Sequence, residues 1–342
     1  MGRRTVLQLI VVGALAGAFA TAVALLIPWL GDPASREGER IDQLFWFTIW
    51  ICVAVFAVVA AVLVVALLNF RVPLDDDRDG PPIHGNTKLE IIWTAVPAVL
   101  VTAISVFSAI VLAENGKASS PNPLHVNVYA QQFAWTFEYP EFKNVKLPTL
   151  FLEKGRSVKL TMRSRDVIHS FWVPEFRQKQ DLLPDQDTTI WITPTKTGVF
   201  PVICTELCGL GHAAMRTQAQ VFATPALFAA AMRKAANPPQ QSGLQIFNAQ
   251  GCAGCHTLTA AKATQKIGPN LDNLAGDAKR AGKPLAEFIH ESIVSPAAYI
   301  EKSCADAMPK NYQELIPSAQ LDALVAFLAK SGTKTEPRGC GE

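Results

Sequence analysis

The sequence predicts a chain in three parts: apolar helices that cross a bilayer, then an all-β sandwich, then an all-α module. Three observations carry this. The stretches 5–30, 44–68 and 91–113 contain no Asp, Glu, Lys or Arg and reach the ~20 residues that span a membrane as a helix. From about 115 to 223 the pattern turns to short alternating runs broken by Pro, Gly and Asp, the signature of half-buried strands. Beyond 243, apolar residues recur at helical spacing.

At 342 residues the chain exceeds one typical domain, so several units are expected, each with its own core. Hydrophobic residues make up 49% and charged ones only 18%, which points to a membrane component. The formal net charge of +2 comes without a Lys/Arg run or a basic aromatic face, which argues against a nucleic-acid partner.

Residues 1–30 read as a signal peptide or an uncleaved anchor. MGRR precedes the apolar run, which holds small-residue sites such as Ala18-Phe19-Ala20 but is longer than a usual signal core. Residues 41–113 read as a transmembrane helical hairpin. With Arg3 and Arg4 inside, three crossings leave everything after Ala113 outside. The loop at 69–90 carries Arg71, Arg78 and Lys88 but more acids than bases, so it adds little to that orientation.

Residues 114–225 form the β domain, with strands expected in HVNVYAQQFAWTFEY, SVKLTMR, TTIWITP, VFPVICT and TQAQVFA. Residues 226–243 hold a short helix, PALFAAAMRKAA from Pro225, and the linker NPPQQSG. Residues 244–342 form the helical module.

In that module Cys252-Ala-Gly-Cys255-His256 has the C-x-x-C-H spacing of covalent c-type haem attachment, in which two thiols add to the vinyl groups and the histidine binds iron. A redox dithiol would need a βαβ context, and a zinc knuckle a second Cys/His pair nearby. Beyond His256 the only methionine is Met308 and the only other histidine His290. Met/His ligation suits an electron carrier, so Met308 is the expected second axial ligand, with His290 in AEFIHESIV as the alternative ligand and otherwise a core residue.

Positions 204–215 read CTELCGLGHAAM. A thioether is a poor zinc ligand and a good copper one, and thiolates select soft metals. A blue-copper site needs one cysteine; this loop has two, and thiolates can bridge two metal ions. With one more histidine the set suffices for a copper pair, and His169 in DVIHSFWVP can supply it. His125, at the first strand, is read as a surface residue.

The C-terminal module resembles class I cytochrome c in CAGCH, then GPNL at 268–271, then Met308-Pro309 and a final amphipathic helix. The resemblance implies that the Pro269 carbonyl accepts the second ring N–H of His256. From Ile41 onward the chain resembles subunit II of haem–copper cytochrome c oxidases in the caa3 form, with a fused cytochrome c. The resemblance rests on KLEIIWTAVPA, DVIHSFWVP, KQDLLP and CTELCGLGHAAM in that order.

That resemblance implies a cupredoxin-like β-sandwich holding a dinuclear CuA centre on His169, Cys204, Cys208, His212, Met215 and the backbone carbonyl of Glu206. The Glu206 carboxylate would hold magnesium at the subunit I interface, a hard cation suited to oxygen. Glu90 would lie at the entrance of a proton channel, or be an ordinary interfacial charge. Where the family carries QWYW, this chain has Gln132-Phe133-Ala134-Trp135, which puts the usual electron-accepting tryptophan in question. Trp135 is open to either a core or a conducting role.

The implied activity is that of cytochrome-c oxidase, this chain being its electron-input subunit. Electrons would arrive at haem c, pass to the copper pair, and go on to haem a in subunit I, which also holds haem a3 and CuB, for oxygen reduction and proton pumping. Subunit III and an upstream quinol–cytochrome c reductase or soluble cytochrome c are the further implied partners. The location is a bacterial plasma membrane, with both redox domains on the outer side. The β domain shows no net acidic bias to steer a basic carrier. An electron-input subunit of a copper-containing nitric oxide reductase is the alternative. Cys304 and Cys340 lie outside the membrane with no metal motif to claim them, which predicts a disulfide.

Overall fold

The computed structural model describes residues 2–71, 80, 82, 84–236, 242–301, 303–336 and 340. Arg78 and linker positions 237–241 lie outside them.

The apolar stretches form three helices: α1 (Arg3–Leu26), α2 (Arg36–Asn69) and α3 (Thr87–Asn115), each long and apolar enough to cross a membrane. The hairpin helices extend beyond the apolar stretches 44–68 and 91–113: α2 starts at Arg36 and α3 runs from Thr87 to Asn115, taking in charged residues that include Arg36, Glu37, Glu39, Arg40, Lys88, Glu90 and Glu114. Gly13 and Gly17 of α1 face α2, where an added Cβ would stand 3.5 Å from Ala61 and from Ala57. Small residues at a four-residue spacing let two helices approach closely in an apolar medium. Pro97 lies inside α3.

The β domain has ten strands: β1 (Leu124–Gln131), β2 (Ala134–Tyr139), β3 (Val145–Leu147), β4 (Leu150–Glu153), β5 (Val158–Ser164), β6 (His169–Trp172), β7 (Lys179–Leu182), β8 (Thr188–Ile192), β9 (Gly198–Cys204) and β10 (Arg216–Phe222). They form two five-stranded sheets, β3-β2-β1-β5-β8 and β4-β10-β9-β6-β7. The β1–β5 and β4–β10 pairs are parallel, so crossovers knit the sandwich. Alternate residues face inward: Val126, Val128 and Ala130 of β1 meet Trp135, Phe137 and Tyr139 of β2 and Phe171 of β6 in one core.

Residues Ala34–Glu37 are stitched onto this sandwich. Ala34 N–H donates to the Glu175 carbonyl at 2.7 Å, and the buried Glu37 carboxylate accepts the Thr193 N–H at 2.7 Å.

Helix α4 (Pro225–Ala236) packs Phe228 against Phe142 and Phe222 of the sandwich. The C-terminal module is built from α5 (Gly243–Ala249), α6 (Leu274–Ala281), α7 (Leu285–Val294), α8 (Tyr312–Leu315) and α9 (Ser318–Ser331). It departs from the all-α expectation in one detail: β11 (Thr257–Leu258) and β12 (Ala263–Thr264) pair as a minimal hairpin just after His256. Its core joins Ile246, Phe247, Phe288, Ile289, Leu324 and Leu328. Cys304 and Cys340 form a disulfide.

Candidate metal and haem centres

Strand β6 starts with His169, fully buried, and its neighbour β9 ends with Cys204. The loop after β9 folds back through a short helical turn at His212–Ala214 into β10, so the Met215 carbonyl accepts the Cys204 N–H at 3.2 Å. This return brings the donors predicted from sequence onto one point. Cys204 Sγ stands 3.8 Å from His169 Nδ1, 3.9 Å from Cys208 Sγ and 3.4 Å from the Glu206 carbonyl oxygen. Cys208 Sγ stands 3.5 Å from His212 Nδ1 and 3.8 Å from Met215 Sδ. Among the described residues, His169, Cys204 and Cys208 bring their ligand atoms within 4.8 Å of one another, and both thiols are free.

Burial pushes the Cys204 thiol up, but the hydrogen bonds from His169 and at the Ser170 and Glu206 backbone outweigh it and bring it down to about 6. Cys208 goes the other way, pushed up by burial and by the neighbouring Cys204. Two adjacent thiolates repel, so the second proton leaves most readily when a cation arrives to replace it.

Sequence reasoning passed over two residues that order this point. Asp166 Oδ1 lies 2.8 Å from His169 Nε2, and a carboxylate there fixes the ring with Nδ1 toward the sulfurs. The signal was DVIH itself, an acid three residues before the histidine. Gln132 donates its side-chain N–H to the Cys208 carbonyl at 2.6 Å, and its backbone N–H to Asp166 at 2.7 Å.

Trp135 is buried, edge-on to Phe171 at 5.7 Å and to His169 at 6.5 Å between ring centroids. Phe133 lies half-buried over the loop at Gly211, where any Cβ would collide with its ring. Beside it Leu207 and Leu210 are 79% and 88% exposed, a greasy rim around the donors. Glu206 is exposed, as is His125.

In the C-terminal module, Cys252 and Cys255 are free thiols on the turn before His256. His256 is 8% exposed, and its Nδ1 lies 2.9 Å from the Pro269 carbonyl. A carbonyl only accepts, so Nδ1 carries the proton and Nε2 keeps its lone pair. Burial lowers the His256 pKa, and the Pro269 bond only partly offsets this; the ring stays neutral, as a metal ligand must. Met308 is half-buried. His290 is exposed on α7, not in the core as expected: Phe288, Ile289 and Ile293 take the inner face.

Glu90 belongs to the first turn of α3. Its carboxylate accepts the Asn86 backbone N–H at 3.0 Å, while the Asn86 side chain accepts the Leu89 N–H at 3.3 Å, a reciprocal cap of the helix start.

Family models for cytochrome c oxidase subunit II match the chain twice, the transmembrane domain over 22–111 and the periplasmic domain over 148–221, and a cytochrome c model matches 240–332. Cytochrome c oxidase subunit 2 of Synechocystis sp. is 31% identical over 325 residues, covering 80% of this chain and 92% of that protein. The chain belongs to the cytochrome c oxidase subunit 2 family. The subunit 2 of Thermostichus vulcanus is 32% identical over 255 residues, covering 57% of this chain and 77% of that one. The crystal structure of the periplasmic domain of subunit II of cytochrome oxidase from Bradyrhizobium japonicum is 26% identical, covering 35% of this chain and 95% of that chain, with a TM-score of 0.32.

A cytochrome c oxidase subunit 2 is a component of a haem–copper terminal oxidase and partners subunit I; it is anchored in the membrane with its redox domains on the periplasmic side. The family implies a copper pair in the β domain and haem c in the C-terminal module, and the residues present fit both. The copper point gathers two reduced thiols, two imidazoles and a buried thioether, which has no use at a zinc site. The haem point offers two thiols and an imidazole whose outer nitrogen is already engaged.

Proposed function

We propose that this chain is the electron-input subunit of a proton-pumping oxidase in a bacterial plasma membrane. What carries the reading is the convergence of the His169, Cys204, Cys208, His212 and Met215 donors and the Glu206 carbonyl on one buried point, in a chain that also holds CAGCH. Those six residues would hold the copper pair. Cys252 and Cys255 would bind haem covalently, and His256 Nε2 and Met308 would hold its iron. When bound, these groups would supply one-electron chemistry, which places the chain between a quinol–cytochrome c reductase or a soluble cytochrome c and haem a of subunit I, the subunit that would reduce oxygen to water.

The protein's own part is orientation and exclusion of water. Asp166 fixes the His169 ring and Pro269 the His256 ring, so neither imidazole has to reorganise around a metal. The sandwich core behind Trp135 and Phe171 keeps the thiolates dry. Fusing the donor module to the acceptor domain replaces a diffusional encounter with an intramolecular one. Exposed Glu206 is the carboxylate we assign to magnesium at the subunit I face, and Glu90 the one we assign to the proton-channel entrance. Subunit III completes the assembly.

The test is a metal and haem assay on the purified chain. About two coppers and one covalent haem per chain are expected, with electron spin resonance of the oxidised protein showing one unpaired electron shared by both coppers. One zinc and no copper would overturn the reading.

A further inference from the structure

Residues 310–314 of the C-terminal module lie against the outer face of the sheet formed by β1, β2 and β3. Outward positions on such a sheet belong in water, yet Gln131 and Thr136 are 7% and 1% exposed, and Asn311 opposite them is fully buried. Asn311 donates its side-chain N–H to the Thr136 hydroxyl at 2.8 Å. With its amide oxygen turned toward the module, Gln131 accepts the backbone N–H groups of Lys310 and Asn311 at 2.9 and 2.8 Å. Glu314 takes a bidentate bond from Arg165 at 2.5 and 2.9 Å and a third from Lys146 at 2.7 Å. Arg165 is held for this by the Tyr129 ring, 4.7 Å beneath its guanidinium.

We propose that this segment is a built-in latch: the C-terminal module works docked on its own β domain, with Glu314 and Asn311 as positioning residues, and not at the end of a free tether. A bidentate guanidinium–carboxylate pair fixes direction as well as distance, and the buried polar groups beside it accept one register only. The segment follows Met308 by two residues. Its contact Gln131 is bonded in the chain to Gln132, which donates to the Cys208 carbonyl at 2.6 Å. The latch therefore sets the loop that carries Met308 two residues, Gln131 and Gln132, and two hydrogen bonds from the thiol loop, along a line that bypasses Phe133. It also closes the outer face of β1–β3 to any other carrier protein, which has to engage the C-terminal module instead. The latch rests on the proposed function only for the roles of Met308 and Cys208.

The test is zero-length carbodiimide coupling of the full chain in detergent, read by peptide mass spectrometry. Lys146 has two carboxylates in reach: Glu314 across the interface at 2.7 Å and Glu138 within the β domain at 3.9 Å. The second product is an internal reference that does not depend on docking. Both products are expected in the native chain. Arg165→Glu should cut the ratio of Lys146–Glu314 to Lys146–Glu138 by about tenfold or more, because repulsion replaces a bidentate charged pair. Arg163→Glu is the control: Arg163 pairs with Asp187 on the β domain itself, and its loss leaves the ratio unchanged. An unchanged ratio in Arg165→Glu, or the Glu138 product without the Glu314 product in the native chain, overturns the latch. Copper and haem contents of the same samples separate the two readings: full loading without the Glu314 product removes the latch alone, and the Glu314 product without copper removes the proposed function alone.

Discussion

Asp166 Oδ1 sits 2.8 Å from His169 Nε2, and a second bond, from the Gln132 N–H at 2.7 Å, holds the same carboxylate from behind. The histidine is thus aimed before any metal arrives. Asp166→Asn keeps the shape but weakens the acceptor and removes its charge. Copper affinity should fall about 10- to 100-fold, measured by competition with a chelator, while the β-domain fold seen by circular dichroism stays unchanged. A full-affinity Asp166→Asn would mean the carboxylate does not tune the ring.

Gly268 lies against the flat side of the His256 ring. A Cβ there would stand 2.6 Å from Cε1 and 2.8 Å from Nδ1, closer than van der Waals contact allows. Gly268→Ala should tilt the imidazole and break the Nδ1–H bond to Pro269. Covalent haem should be retained through Cys252 and Cys255, but with a weakened iron–histidine bond, seen as increased binding of carbon monoxide to the reduced protein. Unaltered ligand binding would show that the ring can move aside without consequence.

What sequence could show here was chemistry in short windows. CAGCH and CTELCGLGHAAM carry their donors within a few residues, so spacing alone pointed to haem and copper. The membrane helices were legible because hydropathy needs no tertiary context. Strands of three or four residues, such as β3, β4 and β7, were not, since a period of two cannot be established over so few positions. Nor was the inward or outward turn of His290, which has apolar neighbours on both sides in AEFIHESIV; only the packing of α7 through Phe288, Ile289 and Ile293 decides it. The pairing of Glu314 with Arg165, 149 residues apart, belongs to the same class. No local pattern encodes how two finished modules meet.

The Arg165 hydrogen bond is the main force holding the Glu314 carboxyl below the usual carboxylate range; burial opposes it, and the Lys146 bond with the charges of Arg165 and Lys146 adds to the lowering. The charged and titratable groups around it are Arg165, Lys146, Tyr129 beneath Arg165 and Glu138 beside Lys146. A carboxylate with a lower pKa when docked than when free stabilises docking fully above its free value, about 4.3, and loses that contribution as pH falls through the lowered value. Hydrogen-exchange protection of the Lys310 and Asn311 amides, corrected for intrinsic rates, should therefore be flat from neutral pH to about 5 and fall in the acid range below about 4. Glu314→Gln should show weaker protection at neutral pH and no such acid step. A native chain that behaves like Glu314→Gln would remove the carboxylate from the docking energetics.

Cys304 and Cys340 close a loop across 36 positions, and the Cys340 N–H donates to Ser303 Oγ at 3.0 Å, so the tail is tied just before the segment that carries Met308. Cross-linking a loop of this length removes denatured-state entropy worth about 3–4 kcal/mol in the chain-entropy model. Replacing both cysteines by serine should lower the unfolding midpoint of the C-terminal module by roughly 10 °C or more, given 4–8 °C per kcal/mol for a domain of this size. The haem absorbance reports that transition, and the copper absorbance should unfold where it did before, because its core is separate. Loss of the tie should also raise exchange of the Met308, Lys310 and Asn311 amides, since the segment then relies on its bonds to Gln131, Thr136, Arg165 and Lys146. An unchanged midpoint in the double serine variant, with the native pair shown to be linked by non-reducing peptide mapping, would mean that the helical core fixes the Met308 segment without help from the tail.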